Sequence, residues 1–165
     1  MEKRPALSIP KSKVELIIDI LSIIVIVFTL LNVLIAWGNL PDRIPTHVSG
    51  SGNVDDWGSK WYIFLEPILQ VIFYISLTIL GRFPHLFNYP FSFSENKADL
   101  IYRNGKMLVS CLKLELVFLL GYLSWETIEI ALEKKQFLGS LGIPIGVACL
   151  IFTIIYFIVR LSRIK

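Results

Sequence analysis

The stretch VELIIDILSIIVIVFTLLNVLIAW, Val14 to Trp37, decides the fold. As a helix it rises about 36 Å, enough to cross the roughly 30 Å of hydrocarbon in a bilayer. Lipid offers the backbone no water, so such a segment must bond to itself as a helix. The run is longer than the apolar part of a cleaved leader. No small-x-small site closes it; Trp37, Asn39 and Pro41 stand there instead, so it is expected to remain as a span. Three further runs of similar length follow, at Trp61 to Leu80, Met107 to Ile130 and Leu141 to Val159. The 165-residue chain is 55% hydrophobic, with a mean hydropathy of +0.67. A soluble domain of this size has too little interior for that much apolar surface. The fold class expected is all-α: one polytopic domain over residues 1–165 with four transmembrane helices.

Lys and Arg orient the spans. The amino-terminal tail (Lys3, Arg4, Lys11, Lys13), the second connection (Arg82, Lys97, Arg103, Lys106) and the carboxy-terminal tail (Arg160, Arg163, Lys165) hold eleven cations. The first and third connections hold four: Arg43, Lys60, Lys134 and Lys135. The positive-inside bias puts both termini in the cytoplasm and the first connection outside. Trp37, Trp57, Trp61 and Trp125 then form an outer aromatic belt. The second connection, Phe83 to Phe91, is aromatic and broken by Pro84 and Pro90, and is expected to rest on the inner membrane surface. Ser92-Phe93-Ser94-Glu95 has the spacing of a capping box, which predicts a helix start leading into span three, with a bend at Gly105.

The first connection, residues 40–60, is chemically dense. Pro41 and Pro45 stiffen the exit from span one, and Gly50, Gly52 and Gly58 permit tight turns. Arg43, His47, Asp42, Asp55, Asp56 and Lys60 supply charge and hydrogen-bonding groups. Three readings stand: an ordered outer loop presenting Arg43, His47, Asp55 and Asp56 to a ligand or peptide; a divalent-cation site; or a stable cap. One histidine with carboxylates at this spacing matches no metal signature, so no metal or cofactor is expected.

Charges inside spans need a partner or water, because each costs about 2.5–3.5 kcal/mol at the membrane centre. Glu15, Asp19, Ser22 and Thr29 share one stripe of span one. Glu66 and Gln70, four apart, share a face of span two. Cys111, Glu115, Tyr122, Glu126 and Glu129 lie near one line on span three. Equal depth predicts a buried Asp19–Lys113 ion pair, either a staple between helices or part of a proton relay. Glu66 and Gln70 with Tyr122, Glu126 and Glu129 are expected to form a polar notch beneath the loop.

Other classes fall away. A net charge of +3 without a continuous basic face gives no case for nucleic acid. Cys111 and Cys149 read as packing residues. No phosphate-binding loop, GxSxG or Ser-His-Asp arrangement is present, so no enzyme is expected.

LPDRIPTH, Leu40 to His47, and GSGNVDDWGSK, Gly50 to Lys60, resemble the signature of a bacterial membrane family, domain of unknown function 1648. Asn88-Tyr89-Pro90, Glu95-Asn96 and Tyr102 also resemble its cytoplasmic segment. The resemblance implies a bacterial cytoplasmic membrane protein related to the opening domain of SdpI-type immunity proteins. Such proteins protect a producing cell from a secreted antimicrobial peptide. The expected function is a binding, sensing or peptide-immunity module whose contacts are Arg43, His47, Asp55, Asp56, Lys60 and Glu66. Its expected partners are the lipid bilayer and a peptide toxin or partner membrane protein. The alternative is a small ion- or proton-coupled transporter, or an accessory subunit, using Asp19, Glu66, Lys113 and Glu115.

Overall fold

A computed structural model describes residues 4–49, 52–134 and 141–164. Helix α1 (Lys13–Ala36) leads to strands β1 (Arg43–Val48) and β2 (Val54–Ser59), then α2 (Leu65–Leu80), α3 (Ala98–Ala131) and α4 (Gly142–Ile164). Short 3-10 turns at Lys60–Phe64 and Glu95–Lys97 feed α2 and α3. Four segments are long and apolar enough to cross a membrane: Lys13–Asn39, Lys60–Leu80, Glu95–Ala131 and Gly142–Ile164. They make the chain a multi-pass membrane protein by length and composition. Ile17, Phe28, Ile35, Phe152 and Ile155 point away from the bundle and are exposed, as lipid-facing side chains must be.

Helix α3 is the central element and packs against each of the other three. Helix α1 begins at a capping box that the sequence reading overlooked. The Ser12 hydroxyl accepts from the Glu15 amide at 3.1 Å, and the Ser12 amide donates to Glu15 Oε2 at 2.7 Å. One stripe of α1 then turns inward, burying Glu15, Ile18, Asp19, Ser22, Thr29, Val33 and Ala36. At 34 residues α3 spans about 51 Å, more than the roughly 30 Å of hydrocarbon needs.

Two local expectations are corrected. The capping box at Ser92–Glu95 does not form: Ser94 is the N-cap without a side-chain cap bond, and its hydroxyl bonds Asn96 instead. Helix α3 also runs unbroken through Gly105. A Cβ there would sit 2.7 Å from the Tyr89 hydroxyl oxygen and 3.1 Å from the Phe87 ring. The glycine makes room for the α2–α3 connection.

The connection after α1 is an antiparallel hairpin, so a small sheet joins the helical body. Arg43 pairs with Ser59, Ile44 with Gly58 and Pro45 with Trp57; the register then shifts between Pro45 and His47 and again before Val48. A bulge of this kind re-aims a side chain, here that of His47. Gly52 has φ 87°, a left-handed conformation that favours glycine. Gly50 lies outside the described residues. The hairpin is fastened by Ile44, fully buried in a cluster with Val33, Ala36, Leu40, Ile63, Ile128 and Ala131.

Candidate functional site

The hairpin positions most of the loop residues singled out by sequence. Strand alternation sends Ile44 into the bundle and leaves Arg43 exposed. Arg43 donates through Nη2 to the Trp57 carbonyl, tying the two strands together. His47 Nδ1 and Asp55 Oδ1 lie 2.5 Å apart across the hairpin. Their side chains are 66% and 48% exposed, so the pair is presented to solvent rather than enclosed. The neighbouring Asp56 carboxylate accepts from the Trp57 amide at 2.8 Å.

Lys60 anchors the base of the hairpin. Its amide donates to the Asp42 carbonyl at 3.0 Å. Its ammonium lies 4.8 Å from the Trp37 ring centre and 3.9 Å from the Asp42 carboxylate. Trp37, Trp61 and Phe64 stack around that point, with centroids 4.7–6.0 Å apart. Lys60 therefore belongs to the footing of the hairpin, and Arg43, His47, Asp55, Asp56 and Trp57 to its displayed surface. The sequence placed these tryptophans at one end of the spans but did not show that they meet. That needed the 3-10 turn at Lys60–Phe64, which swings Trp61 back onto Trp37.

The hairpin sits on the apolar cluster around Ile44, and the polar residues of α3 have several partners. Glu115 accepts from Thr153 Oγ1 of α4 at 2.5 Å. The Tyr122 ring fills the space beside Gly142, where a Cβ would come within 2.2 Å. Glu129 accepts from Lys134 at 3.1 Å. Tyr122 bonds Glu126 one turn along the same helix, and Glu126 is buried. Two residues of this line on α3, Glu115 and Tyr122, thus meet α4.

Helix α2 meets the bundle through Gln70. Its amide nitrogen donates to Val117 O at 2.8 Å and to Thr29 Oγ1 at 3.2 Å, joining three helices at one buried point. One turn nearer the hairpin, Glu66 Oε2 is buried with no hydrogen-bond partner among the described residues.

At the opposite end of the bundle, Asp19 is bonded by both Lys113 and Lys11. Lys113 also donates to Thr78 Oγ1 at 3.1 Å, and its ammonium lies 5.0 Å from the Tyr74 ring centre. Lys106 donates to the carbonyls of Ile9 and Pro10 at 2.8 and 3.1 Å and lies 3.7 Å from Glu15. Sequence depth gave Asp19 and Lys113. It did not give Lys11, whose tail folds back under the bundle. A carboxylate held by two ammonium groups cross-links the tail, α1 and α3.

Comparison with known proteins comes to the same region. Residues 24–71, from the middle of α1 through the hairpin into α2, match the family model described as "Domain of unknown function (DUF1648)". An uncharacterized protein of Archaeoglobus fulgidus is 28% identical over 78 residues, which cover 42% of this chain and 43% of its own length. The chain thus spans less than half the length of that curated relative. No solved structure matches.

Proposed function

We propose, on the premise that residues 24–71 carry the DUF1648 domain, that this protein is a membrane-embedded binding module whose hairpin captures a membrane-active peptide. Immunity to such a peptide is the most concrete form of the reading. One observation carries it. The hairpin is rigidly footed by fully buried Ile44, yet it displays Arg43, the His47–Asp55 pair, Asp56 and Trp57 to solvent. Structure built to present exposed polar groups of both signs beside an aromatic ring is suited to recognition. An amphipathic peptide would offer charge to the hairpin pairs and apolar side chains to Trp57 and Trp61, which are 42% and 68% exposed.

The protein acts in this reading from a bacterial cytoplasmic membrane, with the hairpin outside and both termini inside. Capture at the hairpin would keep the peptide from the bilayer. The test is a gene deletion challenged with a panel of membrane-active peptides, complemented by wild type or by Arg43→Ala/His47→Ala/Asp55→Ala. Increased sensitivity of the deletion, restored by wild type and not by the triple variant, is the expected result. Unchanged sensitivity of the deletion to every peptide would remove the immunity reading.

A second reading has its own support. The unpartnered Glu66 oxygen, buried at the start of α2, is the kind of group that an ion- or proton-coupled carrier uses. Glu66→Gln should then abolish a flux measurable in proteoliposomes. Wild-type flux in the variant would end that role.

A further inference from the structure

A cavity lies at the other end of the molecule from the hairpin. It has a volume of about 840 Å³ and is lined by residues of the tail (Arg4, Pro5) and of the α2–α3 connection, among them His85, Leu86, Tyr89, Phe93 and Glu95. Its floor is a fixed aromatic cluster. Tyr89 stacks on Tyr102 with centroids 6.0 Å apart, and Phe93 meets both rings edge-on. The Tyr89 hydroxyl donates to the Pro84 carbonyl at 3.1 Å, and Gly105 gives that ring its room on α3.

Arg4 is pinned over this floor. Its Nη1 donates to the Phe87 carbonyl at 2.5 Å, and its guanidinium carbon lies 5.3 and 5.6 Å from the Tyr89 and Phe93 ring centres. An arginine stacked and anchored in this way still has free N–H donors in a planar fork, the geometry that suits a phosphate. His85 lines the same cavity and makes no hydrogen bond among the described residues; its ring meets that of Phe83 edge-on. Glu95 adds one carboxylate to the wall.

The place of this cavity narrows the ligand. The connection follows the end of the apolar span Lys60–Leu80, and it exposes Phe83 and Leu86 at 44% and 69%. Exposed apolar side chains beside a charged hollow belong at the level of lipid headgroups. We propose that this cavity binds the zwitterionic headgroup of an amine-bearing phospholipid. Arg4 and His85 take the phosphate, Glu95 takes the primary ammonium, and Phe83 and Leu86 lie along the acyl chains. The balance of one fixed cation, one histidine and one carboxylate matches a phosphate with its own amine better than a bare anion.

The test is native mass spectrometry of the full-length protein released from detergent, titrated separately with phosphatidylethanolamine, phosphatidylglycerol and phosphatidylcholine. Phosphatidylethanolamine should be retained several-fold over the other two. Arg4→Gln should weaken its retention about tenfold, the loss of one charge-assisted contact. Glu95→Gln should erase the preference over phosphatidylglycerol. Arg4 also holds the tail, so Ser92→Trp serves as a second variant: it fills the cavity from an exposed position and should abolish retention without shifting thermal unfolding. Equal retention of the three lipids, retention undiminished in both Arg4→Gln and Ser92→Trp, or displacement of the lipid by millimolar inorganic phosphate would each overturn the proposal.

Discussion

The three-way link of Lys11, Asp19 and Lys113 makes an asymmetric prediction. Lys113 is 3% exposed and the Asp19 side chain 9%, whereas Lys11 is 49% exposed. Asp19→Leu strips Lys113 of its one carboxylate partner among the described residues and leaves a buried ammonium with a hydroxyl and a ring face beside it. Breaking a buried pair this way costs about 3–5 kcal/mol. Lys113→Met leaves Asp19 with Lys11, whose half-exposed pairing is worth at most about 1 kcal/mol. That partial compensation puts the Lys113→Met loss at about 2–4 kcal/mol. The double variant has no buried charge left unpaired, so it should be more stable than Asp19→Leu alone by at least about 1 kcal/mol. Reversible unfolding in mixed micelles, followed by helical circular dichroism, measures all three. If the double variant proved no more stable than Asp19→Leu, the pair would not be a buried staple and the reasoning would fail.

The hairpin and cap carry the remaining predictions. Ile44→Ala should cost about 2–5 kcal/mol and raise amide exchange throughout β1 and β2, because the side chain is fully buried in the cluster that foots the hairpin. Gly58→Ala places a Cβ 2.5 Å from Thr46 Cγ2 and 3.1 Å from the Tyr62 ring. It should destabilise by about 1–3 kcal/mol, and Thr46→Ser, which removes that methyl, should recover part of the loss in the same unfolding assay. His47→Gln and Asp55→Asn, by contrast, should each change stability by less than about 1 kcal/mol, since their pair is exposed. Loss of peptide protection in these two variants without unfolding would separate recognition from folding. Ser12→Ala should cost about 0.5–2 kcal/mol of α1 stability through loss of the capping box.

What could be read from sequence was what a one-dimensional period or length encodes. Run lengths gave the spans to within a residue or two at most ends, because lipid sets the required helix length. The stripe through Glu15, Asp19, Ser22 and Thr29 gave the buried face of α1, because a helix repeats about every 3.6 residues whatever it packs on. The partner of each stripe was not legible. The α3 residues Glu115 and Tyr122 share a line, but only the order of helices around α3 decides that Thr153 and Gly142 meet them. The hairpin was seen as ordered, yet its strands were hidden. Pro45, Asp55, Asp56 and Gly58 are poor strand formers, and the two-stranded register rests on Ile44 reaching the bundle and Arg43 bonding across to Trp57. Lys11 and Arg4 read as orienting cations. Arg4 meets Phe87, Tyr89 and Phe93 only after the tail folds under the bundle, and Lys11 turns back on Asp19 of α1. The residues whose roles escaped the sequence are therefore those joined by long-range contacts at the two ends of the bundle. The helices meet connections there rather than one another, and the chain is free of the regular geometry that lipid imposes between them.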